Sequence, residues 1–353
     1  MPVKYWTFAG LLLTYWCNAR CASCCLCGAP SAGGDMSVED ALAIWAGLQS
    51  ASIHGCRIHI GGGEPFGRWP TLIELARRAR RQHLGPLEAV ETNAFWASDS
   101  RTVRDRLAAL DEAGMGRLTI SADPYHQQFV PMERVRLAAR LGREILGPDR
   151  VRVRWRDWLA EGFDTDRLTP AERRSAFAAY AQKGRDRPTG RAADELAGLL
   201  PLRPAEEYAD SACKERLLRS RHVHVDGEGI IFPGTCAGII LGRTRGESSI
   251  PKIWQALTAR FADISQVTCG RSGRREEAEE IPNAGAGRLG LDVVRTLARL
   301  GPVALMAAAE RCGYRPRPGG YAGKCHLCWD VRRWLFENGH LVEQLGPQWV
   351  YRA

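Results

Sequence analysis

The sequence predicts an α/β protein in which helices wrap a parallel sheet, either curled or open. Strand-like and helix-like stretches alternate with short connections from residue 7 to residue 155, which is the pattern of parallel sheets. Cysteines and polar side chains follow the ends of several predicted strands, where parallel α/β folds place their functional sites. The pattern weakens after residue 159, so we expect a smaller second part, with domains at residues 1–205 and 206–353.

Local residue patterns predict the elements of the first part. Residues 7–16 are apolar, β-branched and aromatic, which indicates a buried first strand. A capping-box-like start at Ser37 and helical spacing of apolar residues predict the first helix, at 41–48. Further strands are predicted at 57–60, 87–93, 117–121 and 151–155, and further helices at 71–83, 102–113 and 132–146.

The second part carries fewer clear patterns. Residues 221–225 and 230–232 flank an Asp-Gly-Glu-Gly stretch and predict a β-hairpin. Residues 291–312 are strongly apolar and predict one helix, and residues 330–338 predict a last amphipathic helix. The Gly-rich and charged stretch 271–288 predicts a surface loop.

Charge and composition narrow the classes of partner. The 353 residues carry a formal net charge of +9, from 49 Lys and Arg residues against 40 Asp and Glu residues. The excess is spread along the chain and indicates a solvated surface, with an anionic substrate as the alternative. Nucleic acid is disfavoured because no zinc-finger, helix-turn-helix or RNA-binding signature is present. No run of about 18 apolar residues occurs, so we expect no membrane span.

The cysteines indicate metal ligands. Twelve cysteines without a secretory signal point to a reducing, cytoplasmic setting and not to a disulfide framework. Three of them, in the spacing C-x3-C-x2-C, allow one tight loop to point three sulfurs at a common centre. Three thiolates on a four-iron cubane leave one iron open to a small molecule. A zinc site is the alternative, with the ligands Cys17, Cys21, Cys24 and Cys27.

Two further motifs agree with an iron–sulfur site. Gly62-Gly63-Glu64-Pro65 ends the second predicted strand, and Glu91-Thr92-Asn93 ends the third. With the cysteine motif, they resemble the radical S-adenosylmethionine (SAM) superfamily over roughly residues 5–160. The resemblance implies a partial (β/α)6 barrel of the TIM type. It also implies a [4Fe-4S] cluster on Cys17, Cys21 and Cys24, whose fourth iron binds the amino and carboxylate groups of SAM.

The ends of the strands also supply candidate residues for holding SAM. Glycines let backbone carbonyls approach an ammonium group closely, and Glu64 could accept from that ammonium or brace the loop. Neutral side chains suit ribose or carboxylate, and an arginine could pair the carboxylate. One departure is Ser23, where the family usually has an aromatic residue, which puts the stacking on adenine in doubt. The candidates are Gly62, Gly63, Glu64, Thr92, Asn93, Ser121 and Arg154 or Arg156.

Cys25 and Cys27 have no role in the family pattern. They are either spare thiols in a shielded loop or a soft site that captures a thiophilic substrate or gives up a hydrogen atom. The Cys-Cys-Leu-Cys extension resembles radical SAM enzymes similar to those that make the organoarsenical arsinothricin. That resemblance implies aminocarboxypropyl transfer to trivalent arsenic.

Asp123-Pro124-Tyr125-His126 follows the fourth predicted strand, at the same end as the cysteine loop. Asp123 is a candidate for holding ribose or substrate, and Tyr125 or His126 for donating a proton or hydrogen atom. A structural histidine is the alternative at this position. His222 and His224 alternate on one strand face, and we expect them to be structural.

A second set of cysteines surrounds the predicted hairpin. Its order (a cysteine, the hairpin, a cysteine, a gap and C-x2-C) resembles the auxiliary-cluster domain called twitch, a relative of SPASM, over residues 210–335. Four cysteines would ligate every iron of a second [4Fe-4S] cluster. Such a cluster could relay electrons, stabilise the fold or anchor substrate. Zinc is the alternative metal. The four residues are Cys213, Cys236, Cys325 and Cys328.

These expectations lead to a radical SAM enzyme. The resemblance implies an electron from a flavodoxin- or ferredoxin-type donor, reductive cleavage of SAM, and a 5′-deoxyadenosyl radical that modifies a small-molecule or peptide substrate. The first alternative is aminocarboxypropyl transfer to a thiophilic acceptor, such as trivalent arsenic, held by Cys25 and Cys27. The second alternative is an iron–sulfur or zinc regulatory protein without turnover.

Overall fold

The fold is built on one mixed sheet. The computed structural model describes residues 3–155, 157, 159, 168–184, 187–244, 249–262 and 290–352. Within these residues eight strands form a single sheet in the order β5-β4-β3-β2-β1-β6-β7-β8. The strands are β1 (Phe8–Leu12), β2 (Arg57–Gly61), β3 (Leu87–Thr92), β4 (Leu118–Ser121), β5 (Val151–Arg154), β6 (His222–Val225), β7 (Ile230–Pro233) and β8 (Gly242–Arg243).

Helices connect and cover these strands. Those of the first part are α1 (Val38–Ser50), α2 (Trp69–Arg81), α3 (Ser100–Glu112), α4 (Pro124–Gln127) and α5 (Met132–Leu146). The later ones are α6 (Pro170–Ala181), α7 (Arg191–Glu195), α8 (Lys214–Leu217), α9 (Ile250–Arg260), α10 (Val293–Arg299), α11 (Pro302–Glu310), α12 (Lys324–Glu337) and α13 (Gln348–Tyr351). Short 3-10 turns lie at Pro65–Arg68, Pro148–Arg150, Ala197–Leu199 and Ala205–Tyr208. None of the described helices is long and apolar enough to cross a membrane.

The predicted mixed α/β architecture is confirmed. Strands β1 to β5 are parallel neighbours in chain order, and each lies within a few residues of its prediction. Ser37 caps α1 by accepting from the Asp40 backbone N–H. The predicted hairpin is also present, since β6 and β7 pair antiparallel. The sequence did not show where the hairpin docks: β6 pairs parallel with β1, on the edge opposite β2.

Two predicted helices of the second part are wrong in their limits. The single helix predicted at 291–312 is two helices, because Gly301 has a positive φ of 82° and Pro302 cannot continue a helix. The last helix begins at Lys324 and not at Asp330. This earlier start places Cys325 in its first turn and Cys328 at the start of its second turn. The loop predicted at 271–288 lies outside the described residues.

The sheet has an apolar face and a polar face. Leu118 and Val151 lie under α5, where they approach Gly142. Residues one position along each strand point to the opposite face. That opposite face carries polar side chains and one glycine at neighbouring positions of β2, β1, β6, β3 and β5, namely His59, Gly10, His224, Glu91 and Arg154. Of these polar side chains His59 is buried, Glu91 and His224 are half-buried and Arg154 is exposed.

Candidate active site

The cysteine loop lies at the carboxyl end of β1, as the sequence predicts. The backbone N–H of Cys17 donates to Ala29 (3.1 Å) and that of Cys24 to Cys21 (3.1 Å), so the loop folds back on itself. Cys17 and Cys21 are buried and Cys24 is half-buried. Burial raises the pKa of the Cys17 and Cys21 thiols, and the neighbouring Cys24 raises both further. The three thiols are therefore close enough to interact.

The ligand set of this loop suits an iron–sulfur cluster. A cubane binds each cysteine through a different iron, and three cysteines leave the fourth iron open. The donor set fits a three-cysteine [4Fe-4S] site.

The glycine bend after β2 packs directly on this loop. Gly62 has a φ of 126°, and a Cβ there would lie 2.4 Å from the Thr14 carbonyl oxygen. A Cβ on Gly63 would lie 2.1 Å from the Trp16 carbonyl oxygen. The backbone N–H of Gly63 donates to Thr14 (2.7 Å), which closes the contact. Both glycines are thus required by the packing of the two strand exits, a reason that the sequence alone did not reveal.

Glu64 joins the ends of β2 and β3. Its buried carboxylate accepts from the Thr92 hydroxyl (2.8 Å), the Asn93 backbone N–H (2.6 Å) and the Phe66 backbone N–H (3.1 Å). The Thr92 hydroxyl also accepts from the Ala94 backbone and the indole N–H of Trp96. Of the two roles predicted for Glu64, the structure thus displays the bracing one.

The burial of Glu64 makes stability depend on pH. Burial raises its pKa from 4.5 to about 7, against hydrogen bonds that lower it. Because the folded state holds the proton more tightly, the stability from this group is present below about pH 4.5 and is lost as pH rises through 7. We expect Glu64→Gln, which stays neutral, to gain about 3 kcal/mol of unfolding free energy relative to the native chain over that range. Urea denaturation across the range measures this gain, and the exposed Glu74→Gln should show none.

Asn93 reaches the cysteine loop. Its side-chain amide donates to Asn18 (2.9 Å) and lies 3.6 Å from the Cys17 sulfur. Amide donors near a thiolate stabilise its negative charge. The structure therefore brings the third-strand motif and the cysteine motif together.

The segment after β4 lies against the second cysteine. Asp123 caps α4 by accepting from the backbone N–H of Tyr125 and of His126, and its other oxygen lies 2.6 Å from His126 Nδ1. The imidazole also hydrogen-bonds Cys21, and despite its burial these two partners raise the pKa of His126 well above its ordinary value. Tyr125 is instead fully buried against Phe177, whose backbone carbonyl accepts from its hydroxyl (3.4 Å).

The sequence missed Arg191, which holds the cysteine loop in place. This side chain is 1% exposed. Its guanidinium donates to the carbonyls of Cys21 (3.0 Å) and Gly28 (2.5 Å), and its backbone N–H donates to Cys24 (3.0 Å). A Cβ on the preceding Gly190 would lie 2.4 Å from the Cys24 carbonyl oxygen. No sequence motif marks Arg191, because it lies far from the loop along the chain.

Cys25 and Cys27 occupy different environments. Cys27 is buried, and burial raises its pKa to about 12. Cys25 is accessible to solvent although protein surrounds it densely, which is typical of a group that lines a cleft. The charges of Arg154 and Glu91 act on the Cys25 thiol, so it faces the polar side of the sheet.

Arg154 already has an ion-pair partner on this polar face. Its guanidinium lies 2.7 Å from Glu91, across the adjacent strand β4. Ser121 pairs with Arg154 in the β4–β5 register and is half-buried. The other candidate arginine, Arg156, lies outside the described residues. A contact of Arg154 with a bound carboxylate stays a prediction.

The second set of cysteines also converges. Burial raises the pKa of Cys213 to about 11, and the charges of Cys328, Cys236 and Cys325 add to that rise. Cys325 lies in the first turn of α12, where the N-terminal dipole favours negative charge, and Cys328 follows at the start of the second turn.

A buried arginine completes the surroundings of the second set. Arg332 is 2% exposed and donates to the Ala237 carbonyl (2.9 Å) and the Tyr351 hydroxyl (2.9 Å). It also hydrogen-bonds Cys328. A buried cation requires a negative partner, and a four-thiolate cluster is one. No sequence motif marks Arg332, although it lies on the same helix as Cys325 and Cys328.

Comparison with solved structures finds two similar enzymes. The chain is similar to the structure of BtrN in complex with AdoMet and 2-DOIA, with 16% identity and a TM-score of 0.45 over 74% of this chain and 87% of BtrN. It is also similar to anSMEcpe with bound AdoMet and Cp18Cys peptide, with 14% identity and a TM-score of 0.42 over 74% of this chain and 84% of that one. Both are radical SAM enzymes.

These matches are likenesses of structure at 14–16% identity, and the predicted radical SAM resemblance rests on the sequence motifs. No family model matches the sequence, and no curated protein matches it significantly. The resemblance to arsinothricin-type enzymes stays a prediction.

Proposed function

We propose that this protein is a radical SAM enzyme with its [4Fe-4S] cluster on Cys17, Cys21 and Cys24. The observation that carries the proposal is the packing of the C-x3-C-x2-C loop on the Gly62–Gly63 bend, at the carboxyl ends of the parallel strands β1 and β2. Two motifs far apart in sequence thereby form one site. When bound, the cluster would pass one electron to SAM, and cleavage of a C–S bond would supply a carbon radical.

The residues of this chain have positioning roles in that chemistry. Arg191 holds the loop carbonyls, Asn93 donates toward Cys17, and His126 hydrogen-bonds Cys21. Each interaction favours a thiolate or fixes the backbone that carries it. Glu64 holds the two strand exits at a fixed separation. A rigid and largely buried surround suits a radical, because water and stray C–H bonds would quench it.

The larger architecture follows the same proposal. We assign residues 1–205 to a partial TIM-like barrel and residues 206–353 to a twitch-like auxiliary domain with a second [4Fe-4S] cluster. The convergence of Cys213, Cys236, Cys325 and Cys328 supports the second cluster. A cytoplasmic setting with a flavodoxin- or ferredoxin-type electron donor is part of this proposal. The substrate is a small molecule or a peptide.

A second candidate reaction rests on Cys25. Cys25 is exposed, and its thiol lies close enough to raise the pKa of Cys27. Two neighbouring thiols suit a thiophilic acceptor such as trivalent arsenic. In that case SAM would be cleaved on the other side of its sulfonium, and the aminocarboxypropyl group would be transferred.

One experiment separates these reactions. Anaerobically reconstituted protein is mixed with dithionite and SAM, and the released nucleoside is identified. We expect 5′-deoxyadenosine for hydrogen-atom abstraction and 5′-methylthioadenosine for aminocarboxypropyl transfer. The control is the triple variant Cys17→Ala, Cys21→Ala, Cys24→Ala, which should release neither. If the native protein cleaves no more SAM than this variant, both reactions are excluded and a regulatory iron–sulfur or zinc protein remains.

A further inference from the structure

Three histidines from two distant parts of the chain meet on the polar face of the sheet. His59 lies on β2, and His222 and His224 lie on β6. Each of the three offers one ring nitrogen as a metal ligand, and these nitrogens all lie within 4.8 Å of one another. Among the described residues, no other group of three or more His, Cys, Asp or Glu side chains meets this criterion. The Nε2 atoms of His59 and His222 are 3.0 Å apart. Two nitrogens on one tetrahedral zinc lie about 3.4 Å apart, given Zn–N bonds of about 2.0–2.1 Å.

The strand between them leaves room for this convergence. Gly10 of β1 pairs with His59 on one side and with His224 on the other. A Cβ on Gly10 would lie 2.5 Å from His59 Nε2 and 2.7 Å from His224 Nε2. The Nε2 atoms of both imidazoles therefore point to the same space above a glycine. Any residue larger than glycine at position 10 would fill that space.

The second nitrogen of His59 lies near a carboxylate. His59 is 4% exposed, and its Nδ1 has no hydrogen-bond partner. The nearest carboxylate oxygen, on Glu91, lies 3.6 Å away. Buried polar atoms rarely stay unpaired. A carboxylate behind one imidazole nitrogen is the usual outer support of a metal-bound histidine, because it fixes the proton on Nδ1 and leaves Nε2 free to bind.

We propose that His59, His222 and His224 bind one divalent transition-metal ion, of which zinc is the best fit, with Glu91 supporting His59. Imidazole nitrogens prefer borderline metals such as zinc to magnesium or calcium. Three protein ligands leave a fourth position open, as in catalytic zinc sites. The charge of Arg154 acts on all three histidines, so an anionic or polar substrate atom at that position would also lie near this arginine.

Aromatic packing fixes the orientation of two of the imidazoles. Phe8 stacks on His59 with ring centroids 4.8 Å apart and contacts His222 at 4.7 Å. This packing explains the ring contacts, but it does not explain why imidazole nitrogens of three histidines converge.

Zinc binding to the cluster-loaded protein tests the proposal. Zinc is titrated against a competing chelator, and the bound metal is examined by X-ray absorption at the zinc edge. We expect one zinc per chain with nitrogen and oxygen neighbours and no sulfur. The sulfur-free shell distinguishes this site from zinc on the cysteines, so the result does not depend on the proposed cluster or on SAM cleavage. A shell that contains sulfur, or no bound zinc, overturns the proposal.

Matched variants locate the site. His59→Ala and His224→Ala should each weaken zinc binding at least 100-fold, and Glu91→Gln about 10-fold to 100-fold. Gly10→Ala keeps every ligand but fills the space between them, and it should also abolish binding. The exposed His54→Ala is the control and should bind zinc as the native protein does. Unchanged iron content and circular dichroism show that a variant is folded. Native zinc affinity in the folded histidine and Gly10 variants would overturn the assignment.

Discussion

Replacing Arg191 with alanine is expected to lose the cluster of Cys17, Cys21 and Cys24. The buried guanidinium donates to the carbonyls of Cys21 and Gly28. The Cys21 carbonyl also accepts from the Cys24 backbone N–H, but no other donor to the Gly28 carbonyl is present in the described chain. An unpaired buried carbonyl costs about 1–3 kcal/mol, so we expect about that much less unfolding free energy. Iron analysis after anaerobic reconstitution should show a loss of up to about four iron atoms per chain.

Two further variants sharpen this result. Arg191→Lys keeps the charge but lacks the planar fork that reaches two carbonyls, so we expect an intermediate iron content. Arg20→Ala is the matched control, since Arg20 lies on the same loop but makes an exposed ion pair with Glu195 at 3.3 Å. It should change stability by less than about 0.5 kcal/mol. If Arg191→Ala retains full iron and native stability, the guanidinium does not hold the loop.

The second large effect is expected at the other cysteine set. The double variant Cys325→Ser, Cys328→Ser should lose about four iron atoms per chain if this site is a cubane. The loss also leaves Arg332 buried without its negative partner, so the unfolding free energy should fall by about 3–5 kcal/mol. Metal analysis by mass spectrometry and urea denaturation measure the two effects.

The matched control for this variant is Cys312→Ser. Cys312 is half-buried and follows α11, outside the group of four converging cysteines. It should keep the native iron content. Loss of one zinc ion in place of iron from the double variant would assign a structural zinc to the site. Unchanged metal content would show that Cys325 and Cys328 are not ligands.

The sequence predicted the elements whose signals are local. An apolar run shows a buried strand, and Ser37 marks the start of α1, because each depends on residues within a few positions. Breaks inside apolar helical stretches were harder to foresee. Gly301 and Pro302 interrupt the predicted helix at 291–312, although the apolar pattern continues through them. The pattern reports burial, and burial alone does not distinguish one helix from two.

The sequence by itself determined the ligand spacing of the cysteine loop and the glycine bend beside it, since both are fixed by neighbouring residues. Only the tertiary structure decided which distant residues support them. Arg191 and Cys21 are 170 positions apart, and His59 and His222 are 163 positions apart. Strand β6 lies beside β1 because sheet order, and not chain order, brings its histidines to His59. Such pairings depend on how a sheet assembles, and no local pattern of residues records that.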